Sequence, residues 1–280
     1  MFREADGQGR RKRGFLQRPL DPTMNLPGIL RLIYRLPFLL LHLFISTPVT
    51  VLCQSSAGRS IHLAGRPLSE ITACWWSRVN CRIFGIKRDI SGEFQPGAQL
   101  LAANHISWLD IAVLHGFTAM GFVAKAEINS WPLLGILARA GGSVFHQRGS
   151  HDSASGVKTA MIERLNENRR VAIFPEGGIL PGEGVKRFHA RLFAAAIEAL
   201  VPVQPVMLRY LRDGRRYHDI TFLPGEHFVA NFLRLLMQKS CVAHVEVLPL
   251  IDPAGKQRRQ LAGEAEDAVR TAFESDLTDE

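Results

Sequence analysis

Cysteine is scarce in this chain, with four residues in 280: Cys53, Cys74, Cys81 and Cys241. They lack the paired spacing of a zinc site and the regular framework of a small disulfide-rich protein, so the sequence argues against both classes. We expect buried thiols in a reducing compartment. The sequence also lacks internal repeats and recognisable nucleic-acid-binding modules, and few aromatic residues accompany the basic ones, which argues against a nucleic-acid partner.

Acidic residues are outnumbered by basic ones, and the net charge of +8 indicates an acidic partner such as an anionic membrane surface. Basic residues concentrate in an N-terminal arm, residues 1–24, which leads into an apolar stretch ending at Cys53. A basic arm joined to an apolar segment is typical of proteins at a membrane surface. Residues 256–280 are rich in Asp and Glu, and we expect an acidic tail or helix there, most simply a solvated or frayed end.

The apolar stretch permits more than one interpretation. Residues 36–53 form a run of about eighteen residues, enough for a spanning helix, but Pro37, His42 and Pro48 interrupt it. A buried helix pair of a soluble protein is the alternative, and a secretory signal peptide fits poorly because the run starts late. Hydrophobic residues form 46% of the chain, which favours a membrane-associated helical region over residues 25–90.

From residue 91 to residue 255, short apolar runs alternate with longer amphipathic ones. This predicts an α/β domain with a mostly parallel central sheet flanked by helices. The predicted strands span residues 99–103, 121–125, 142–146, 170–174, 203–208, 219–223 and 242–250. The predicted helices span residues 108–116, 133–140, 155–168, 187–200 and 226–238. In such sheets, ligands meet the loops that follow the carboxyl ends of the strands.

The loop after the first predicted strand reads Asn104-His105-Ile106-Ser107-Trp108-Leu109-Asp110. A neutral imidazole oriented by a carboxylate can take a proton from a hydroxyl near neutral pH. On a continuous helix this offset would point His105 and Asp110 roughly 140° apart, so they converge only if a turn separates them. Ser107 could supply that turn as a helix N-cap, with Asp110 in the capping-box position. On these residues alone, a plain strand end followed by a helix cap remains the alternative.

A second loop follows the strand predicted over residues 170–174 and reads Phe174-Pro175-Glu176-Gly177-Gly178. A carboxylate placed after a strand and before glycines can orient a substrate hydroxyl, although this loop could also be only a turn. Arg148 follows another predicted strand, and its guanidinium could reach a phosphate at the same sheet edge. A solvated surface arginine is the alternative there.

Four blocks, taken in order, resemble the glycerophospholipid acyltransferase family, whose best-known members are the 1-acylglycerol-3-phosphate acyltransferases. The blocks are the loop 104–110; Lys125-Ala126-Glu127 through Phe145-His146-Gln147-Arg148; Phe174-Pro175-Glu176-Gly177; and Val201-Pro202-Val203-Gln204-Pro205-Val206. Each block alone is a weak match, whereas the four in order are specific. The resemblance covers about residues 99–208.

This resemblance implies an enzyme that moves a fatty acyl group from acyl-CoA or acyl carrier protein to the hydroxyl of a lysophospholipid. It implies His105 as the general base and Asp110 as the residue that orients it. A serine nucleophile is not needed, because the thioester is already activated. The substrate-binding positions that it implies are Arg148, Glu176, Gly177, Asn104 and Lys125. It implies neither a metal nor another cofactor, and the expected partners are membrane lipids and the acyl donor.

One departure from the family pattern concerns the acceptor. The family usually continues the Glu-Gly pair with threonine, often followed by arginine and serine, where this chain has Gly178-Ile179-Leu180. Ligands for an acceptor phosphate are thereby missing, and the candidate replacements are Lys186, Arg187, His189 and Arg191. The expected acceptor is 1-acyl-sn-glycerol-3-phosphate, which would give phosphatidic acid. The alternatives are a lyso-ornithine lipid O-acyltransferase, which residues 184–193 resemble, and a non-catalytic membrane-binding protein on the same fold.

The charge distribution also predicts a location. The positive-inside rule places the basic arm in the cytoplasm, and one straight crossing would carry His105 to the other side, away from cytosolic thioesters. A re-entrant helix pair broken near Pro37 or Pro48 would resolve that conflict. We therefore expect a protein of the inner (cytoplasmic) membrane whose catalytic domain faces the cytoplasm.

Overall fold

A computed structural model describes residues 25–130, 134–146, 151–179 and 184–275. The α-helices are α1 Leu26–Leu41, α2 Thr47–Cys53, α3 Ser56–Ser60, α4 Leu68–Ile83, α5 Asp110–His115, α6 Leu134–Ala140, α7 His151–Asn166, α8 Ala194–Glu198, α9 Phe228–Met237 and α10 Arg258–Ser275. The strands are β1 His62–Leu63, β2 Arg66–Pro67, β3 Ile86–Ser91, β4 Leu100–Ala103, β5 Gly121–Lys125, β6 Val144–His146, β7 Val171–Ile173, β8 Val203–Arg212, β9 Arg215–Arg216 and β10 Cys241–Val247. Short hairpin strands β1 and β2 pair only with each other in this part of the chain.

The other strands form one sheet with the order β3-β10-β8-β4-β7-β5-β6, and β9 pairs with the end of β8. Strand β4 lies in the middle and is parallel to both of its neighbours, β7 and β8. The exception to parallel pairing on this path is β10, which runs antiparallel to β8. This arrangement confirms the predicted α/β fold with a mostly parallel sheet flanked by helices.

Both faces of β4 are buried, as expected for a strand covered by helices on each side. On one face, Leu101 and Ala103 join a cluster with residues of α1, α4, α5 and α9. On the other face, Leu100 and Ala102 pack with residues of α7, α8 and α10. The alternation of side chains along the strand therefore divides the core into two layers, and the loop after β4 emerges between them.

Most predicted strands are confirmed with shorter or longer bounds, but the strand predicted over residues 219–223 is wrong. Its backbone serves another purpose, because the carbonyl of Thr221 accepts hydrogen bonds from the side chains of Asn231 and Arg234. Sequence reasoning also missed β3, which pairs with β10. The division of the chain at residues 24, 90 and 255 stays a prediction.

Two predictions about helices are wrong in part. A helix expected over residues 187–200 begins only at a 3₁₀ turn, Ala190–Phe193, because the amides before it are bound elsewhere: that of Phe188 donates to Glu266 and that of His189 to the carbonyl of Pro175. At the other end of the chain, where an acidic tail or helix was expected, the structure has the helix as far as Ser275, so a solvated or frayed end is wrong for residues 258–275. Helix α10 buries an apolar face, including Leu261, against the sheet layer.

The N-terminal apolar segment is one helical run, Leu26–Cys53, in which a π-helical turn, His42–Ser46, joins α1 to α2. The predicted helix pair broken near Pro37 or Pro48 is therefore wrong. Pro37 removes a single backbone bond inside α1, and Pro48 lies at the start of α2, where a missing N–H is tolerated. By length and composition the run could cross a membrane: its most apolar window has a mean hydropathy of 2.0 and is 22% buried. The buried helix pair of a soluble protein does not fit such exposure.

The expected burial of the thiols is confirmed for three of the four cysteines, whereas the reducing compartment stays a prediction. All four are free thiols, three of them buried and Cys53 half-buried.

Candidate active site

The exit of β4 is fastened to β8 by the side chain of Asn104. Its Nδ2 donates to the carbonyl of Leu208 at 2.9 Å, and its Oδ1 accepts from the amide of the same residue at 2.7 Å. Asn104 thus replaces a backbone pair just where β4 ends, and it is buried. This gives Asn104 a structural part in the site, whereas contact with a substrate stays a prediction.

His105 and Asp110 meet across a tight turn, as the loop requires for a base and its orienting acid. The distance between His105 Nδ1 and Asp110 Oδ2 is 2.9 Å. The same oxygen accepts the amides of Ile106 and Ser107, and the amide of Asp110 donates to the Ser107 carbonyl. Helix α5 starts at Asp110, two residues later than expected. The turn that brings His105 and Asp110 together is therefore formed by residues 106–109. One part of the predicted Ser107–Asp110 capping box is present, the bond from the Ser107 amide to the Asp110 carboxylate; the Ser107 hydroxyl instead accepts the amide of Leu109 at 3.3 Å.

A residue that sequence reasoning missed holds the other oxygen of the carboxylate. The hydroxyl of Tyr210, on β8, donates to Asp110 Oδ1 at 2.7 Å. The side chain of Asp110 is 0% exposed, and its described hydrogen bonds come from protein donors. Nothing local in the sequence indicates this contact, because one hundred residues separate the two partners.

Two aromatic rings back the histidine. Phe174, the first residue after β7, stacks on the imidazole with ring centroids 3.9 Å apart and an interplanar angle of 12°. Phe122 of β5 stacks behind Phe174 at 5.8 Å. The His105 side chain is 12% exposed, and its Nε2 has no hydrogen-bond partner in the described part of the chain. The ring is therefore held by its Nδ1 edge and one face, and Nε2 remains for a substrate.

Glu176 joins the two loops that sequence analysis singled out. Its Oε2 accepts the amide of His105 and its Oε1 accepts the amide of Lys186, both at 3.0 Å. Burial raises the pKa of Glu176 above its usual value, and the two amide donors oppose that effect. Glu176 is 7% exposed, and both hydrogen bonds to its carboxylate come from backbone amides that shape the site. Direct contact between Glu176 and an acceptor stays a prediction.

Gly177 follows in a left-handed conformation, with φ of 82°. A Cβ atom at this position would lie 3.3 Å from Cδ2 of His189. The turn therefore favours glycine for its backbone, and it places the imidazole of His189 beside the Glu-Gly pair. His189 is exposed there, which keeps it available as a replacement for the side chains that Gly178 and Ile179 do not supply.

Two expected substrate-binding side chains cannot be placed. Arg148 lies outside the described residues. Strand β5 ends at Lys125, at the same sheet edge as the loop after β4, but its side chain is outside the described part.

The opposite flank of the loop that carries His105 and Asp110 packs on α9. The indole of Trp108 donates to Asn231 at 2.9 Å, and Asn231 donates in turn to Glu226. Burial tends to raise the pKa of Glu226, but hydrogen bonds from Arg234, from Asn231 and from the amide of Leu223 outweigh it and lower that pKa to about 2. Glu226 is therefore an anion paired with Arg234, and this pair fixes the residue that supports Trp108.

Acid–base chemistry on a hydroxyl is what this arrangement can perform. With its Nδ1 hydrogen-bonded to Asp110, His105 presents Nε2 at the carboxyl end of the central strand, where a substrate hydroxyl could meet it. The described residues include no group of three or more His, Cys, Asp or Glu side chains suited to a metal ion.

Comparisons with known proteins place this geometry in context. A family model described as Acyltransferase matches residues 87–209. A lyso-ornithine lipid O-acyltransferase of Pseudomonas aeruginosa is 37% identical over 207 residues, which cover 74% of this chain and 80% of that protein. A 1-acyl-sn-glycerol-3-phosphate acyltransferase of Neisseria meningitidis is 34% identical over 188 residues, 65% of this chain and 71% of that protein.

The fold also has a counterpart among solved structures. The crystal structure of the 1-acyl-sn-glycerophosphate (LPA) acyltransferase PlsC from Thermotoga maritima superposes with a TM-score of 0.68, over 89% of this chain and 96% of that one. At 18% identity, this likeness shows a shared fold.

Proposed function

This chain belongs to the acyltransferase family that includes the 1-acyl-sn-glycerol-3-phosphate and lyso-ornithine lipid acyltransferases, and we propose that it acylates a lysolipid hydroxyl with His105 as the base. The single observation that carries this proposal is the His105–Asp110 pair at 2.9 Å, placed at the end of β4 with Nε2 unoccupied by described residues. The acyl donor is a thioester of coenzyme A or of acyl carrier protein.

In the proposed reaction, His105 and Asp110 account for each proton transfer. Nε2 of His105 takes the hydroxyl proton of the acceptor, and the oxygen attacks the thioester carbonyl. Asp110 stabilises the imidazolium that forms, because its anion accepts the Nδ1–H. When the carbon–sulfur bond breaks, the imidazolium returns the proton to the leaving thiolate. The products are the ester and a free thiol, and the enzyme ends in its starting state.

A lyso-ornithine lipid is the acceptor that we favour. At the turn where the family usually supplies a hydroxyl and a cation, this chain has Gly178 and Ile179. A phosphate dianion needs such ligands, whereas an ornithine headgroup carries one carboxylate and one ammonium. The imidazole of His189 lies beside Gly177, the residue just before that position: a Cβ at Gly177 would be 3.3 Å from His189 Cδ2. The relative from Pseudomonas aeruginosa supports the same choice.

The second candidate acceptor is 1-acyl-sn-glycerol-3-phosphate, the acceptor expected from sequence. It is supported by the relative from Neisseria meningitidis and by the cationic residues Lys186, Arg187 and Arg191 in the segment after the glycine turn.

An acceptor panel tests the proposal. Purified protein receives a labelled acyl-CoA or acyl carrier protein with lyso-ornithine lipid, 1-acyl-sn-glycerol-3-phosphate or neither, and the labelled lipid products are quantified. We expect transfer to lyso-ornithine lipid, and a loss of about 10²- to 10⁴-fold in kcat for His105→Ala. A matched control is His244→Ala, since His244 forms the same kind of pair with Asp89 at 2.8 Å on the outer strands β10 and β3.

The outcomes separate the candidates. Transfer only to 1-acyl-sn-glycerol-3-phosphate selects the second acceptor. No consumption of either thioester with any lysolipid refutes the enzyme and leaves a non-catalytic membrane-binding protein.

The apolar helical run and the lipid acyltransferase relatives indicate membrane association. We place the protein at the inner membrane with its catalytic domain in the cytoplasm, where acyl thioesters are made. Helix α1 supports this placement: its Arg35 donates to the carbonyls of Leu236 and Gln238, so one face of the helix is fastened to the domain. A helix lying along its own domain can enter a bilayer surface without separating the basic arm from His105, which removes the conflict that a straight crossing would create.

A further inference from the structure

Strand β8 runs past the end of β4, and its extension brings one side chain under the catalytic turn. The pairing of β4 with β8 stops at Ala103 and Val206, whereas β8 continues to Arg212 and pairs with β10 as far as Leu211. Tyr210 lies on this extension, opposite Ala243, and is buried. Its hydroxyl donates to the carboxylate oxygen of Asp110 that His105 does not contact.

The four donors to Asp110 are divided unequally between its two oxygens. Oδ2 accepts from His105 Nδ1 and from two amides, while Oδ1 accepts the Tyr210 hydroxyl at 2.7 Å. An anion that is completely buried needs such donors, and hydrogen bonds to a charged group are the strong ones. Tyr210 is the donor to Oδ1 in the described structure, and no backbone group takes that place.

We propose that Tyr210 is a positioning residue for acyl transfer: its hydroxyl fixes the Asp110 carboxylate and draws part of its charge away from His105. The proposal rests on the function proposed above. Tyr210 acts only through Asp110, because it is enclosed by the core cluster that contains Leu208, Leu235 and Val245.

Electrostatics keep the phenol in its donor form. Burial raises the pKa of Tyr210 well above its usual value, and the adjacent Asp110 charge and hydrogen bond act in the same direction. The other titratable groups near this hydroxyl are thiols: burial raises the pKa of Cys81, on α4, to about 12 and that of Cys241, on β10, to about 11. Beyond His105 lies Glu176, which contacts its amide. Near neutral pH the Tyr210 phenol and both thiols are therefore neutral.

Removing the hydroxyl should make His105 more basic. In Tyr210→Phe, Oδ1 loses its donor and the carboxylate charge acts more strongly on the imidazolium. The acid limb of the kcat/KM profile should then move to higher pH by about half a unit to one unit, so that activity below the limb falls about three- to tenfold. KM for the acceptor should stay constant, because the phenol is buried away from any substrate.

The matched control is Tyr217→Phe, the same deletion in the same core cluster. The Tyr217 hydroxyl does not bond to His105 or Asp110 within the described residues. A core defect alone would lower stability in either variant without moving the acid limb, whereas the proposal requires the shift in Tyr210→Phe only.

A second measurement requires neither enzyme activity nor a variant that folds without the Tyr210 hydroxyl. The titration midpoint of His105 is followed by NMR of ring-¹⁵N histidine, assigned with His105→Gln. Because the chain has three tyrosines, a Tyr34→Phe, Tyr217→Phe background lets fluorotyrosine replace Tyr210 alone. Fluorination strengthens the phenol as a donor and keeps the hydroxyl, so the midpoint should fall, opposite to the rise in Tyr210→Phe.

The results distinguish this proposal from the function on which it rests. Midpoints that are equal in all these proteins overturn the role of Tyr210, whatever the activity. If the Tyr210→Phe and fluorotyrosine proteins shift the His105 midpoint in opposite directions but the wild type transfers no acyl group, the effect of Tyr210 on His105 is supported and the proposed enzyme activity is refuted.

Discussion

At the scale of single residues, His115 should make the fold sensitive to acid. Its ring lies edge-on to Phe122, with centroids 5.6 Å apart. Burial lowers the pKa of His115 from 6.5 to about 4, against an opposing hydrogen bond with the backbone of Met120. Because this folded-state pKa is lowered, the unfolded chain binds the proton more readily. The free energy of unfolding should therefore fall as pH decreases from about 6.5 to about 4, by up to about 3 kcal/mol.

Urea unfolding between pH 4 and pH 7 measures this effect. We expect His115→Gln to have a flatter dependence of unfolding free energy on pH than the wild type. His62→Gln is the control, since His62 is exposed and should leave the slope unchanged. An unchanged slope in His115→Gln would contradict the assignment.

How far single residues could be identified from sequence depended on the distance between partners along the chain. His105 and Asp110 are close in sequence, and a capping pattern indicates the turn between them. Tyr210 and Asn231 could not be found, because the Tyr210 hydroxyl reaches the loop from β8 and the Asn231 side chain reaches it from α9, 100 and 123 residues along the chain from their partners. No periodicity or local motif encodes such contacts.

At the scale of elements, the contact between α1 and α9 depends on a buried arginine. Arg35 caps the end of α9, where helix carbonyls lack partners. Arg35→Leu should lower the free energy of unfolding by about 2 to 4 kcal/mol, because buried carbonyls lose charge-assisted hydrogen bonds. Arg31→Leu is the control: Arg31 makes one such bond, to Met237, and is less buried, so its loss should cost about 1 kcal/mol.

Chemical unfolding in a mild detergent gives both values, and equal losses in the two variants would contradict the capping role of Arg35. Circular dichroism before unfolding shows whether α1 remains helical in each.

The existence of a strand or helix was predictable where it follows from a local pattern of apolar residues, but the residues at which elements begin and end were not predictable. The strand at β4 and the helix at α9 follow from apolar patterning alone. The late start at Ala190 could not be predicted, because it depends on distant acceptors such as Glu266 on α10. Residues 219–223 have strand-like composition, yet α9 side chains use the Thr221 carbonyl.

At the scale of the whole molecule, we predict that the basic arm and the catalytic domain lie on the same side of the membrane. Single cysteines at Arg10→Cys and Arg258→Cys, in a chain whose native cysteines are replaced by serine or alanine, report on arm and domain. Both should react with a membrane-impermeant thiol reagent in inside-out vesicles and not in intact cells. Labelling of the domain only from the opposite face would refute this placement.

The α/β architecture was predictable because alternating runs specify parallel strands and covering helices. The strand order was not predictable. Strand β10 lies between β3 and β8, so the sheet pairs segments that are far apart along the chain. The sequence of β3 also has no distinct strand pattern.

The exposed side of the helical run Leu26–Cys53 carries large apolar side chains, including Ile33, Phe38 and Phe44. An enzyme held at a bilayer by that surface meets its acceptor by lateral diffusion in two dimensions. Its rate then depends on the mole fraction of acceptor among the surrounding lipids, so diluting a vesicle suspension would leave the rate per enzyme unchanged, while diluting the acceptor within the vesicles would lower it.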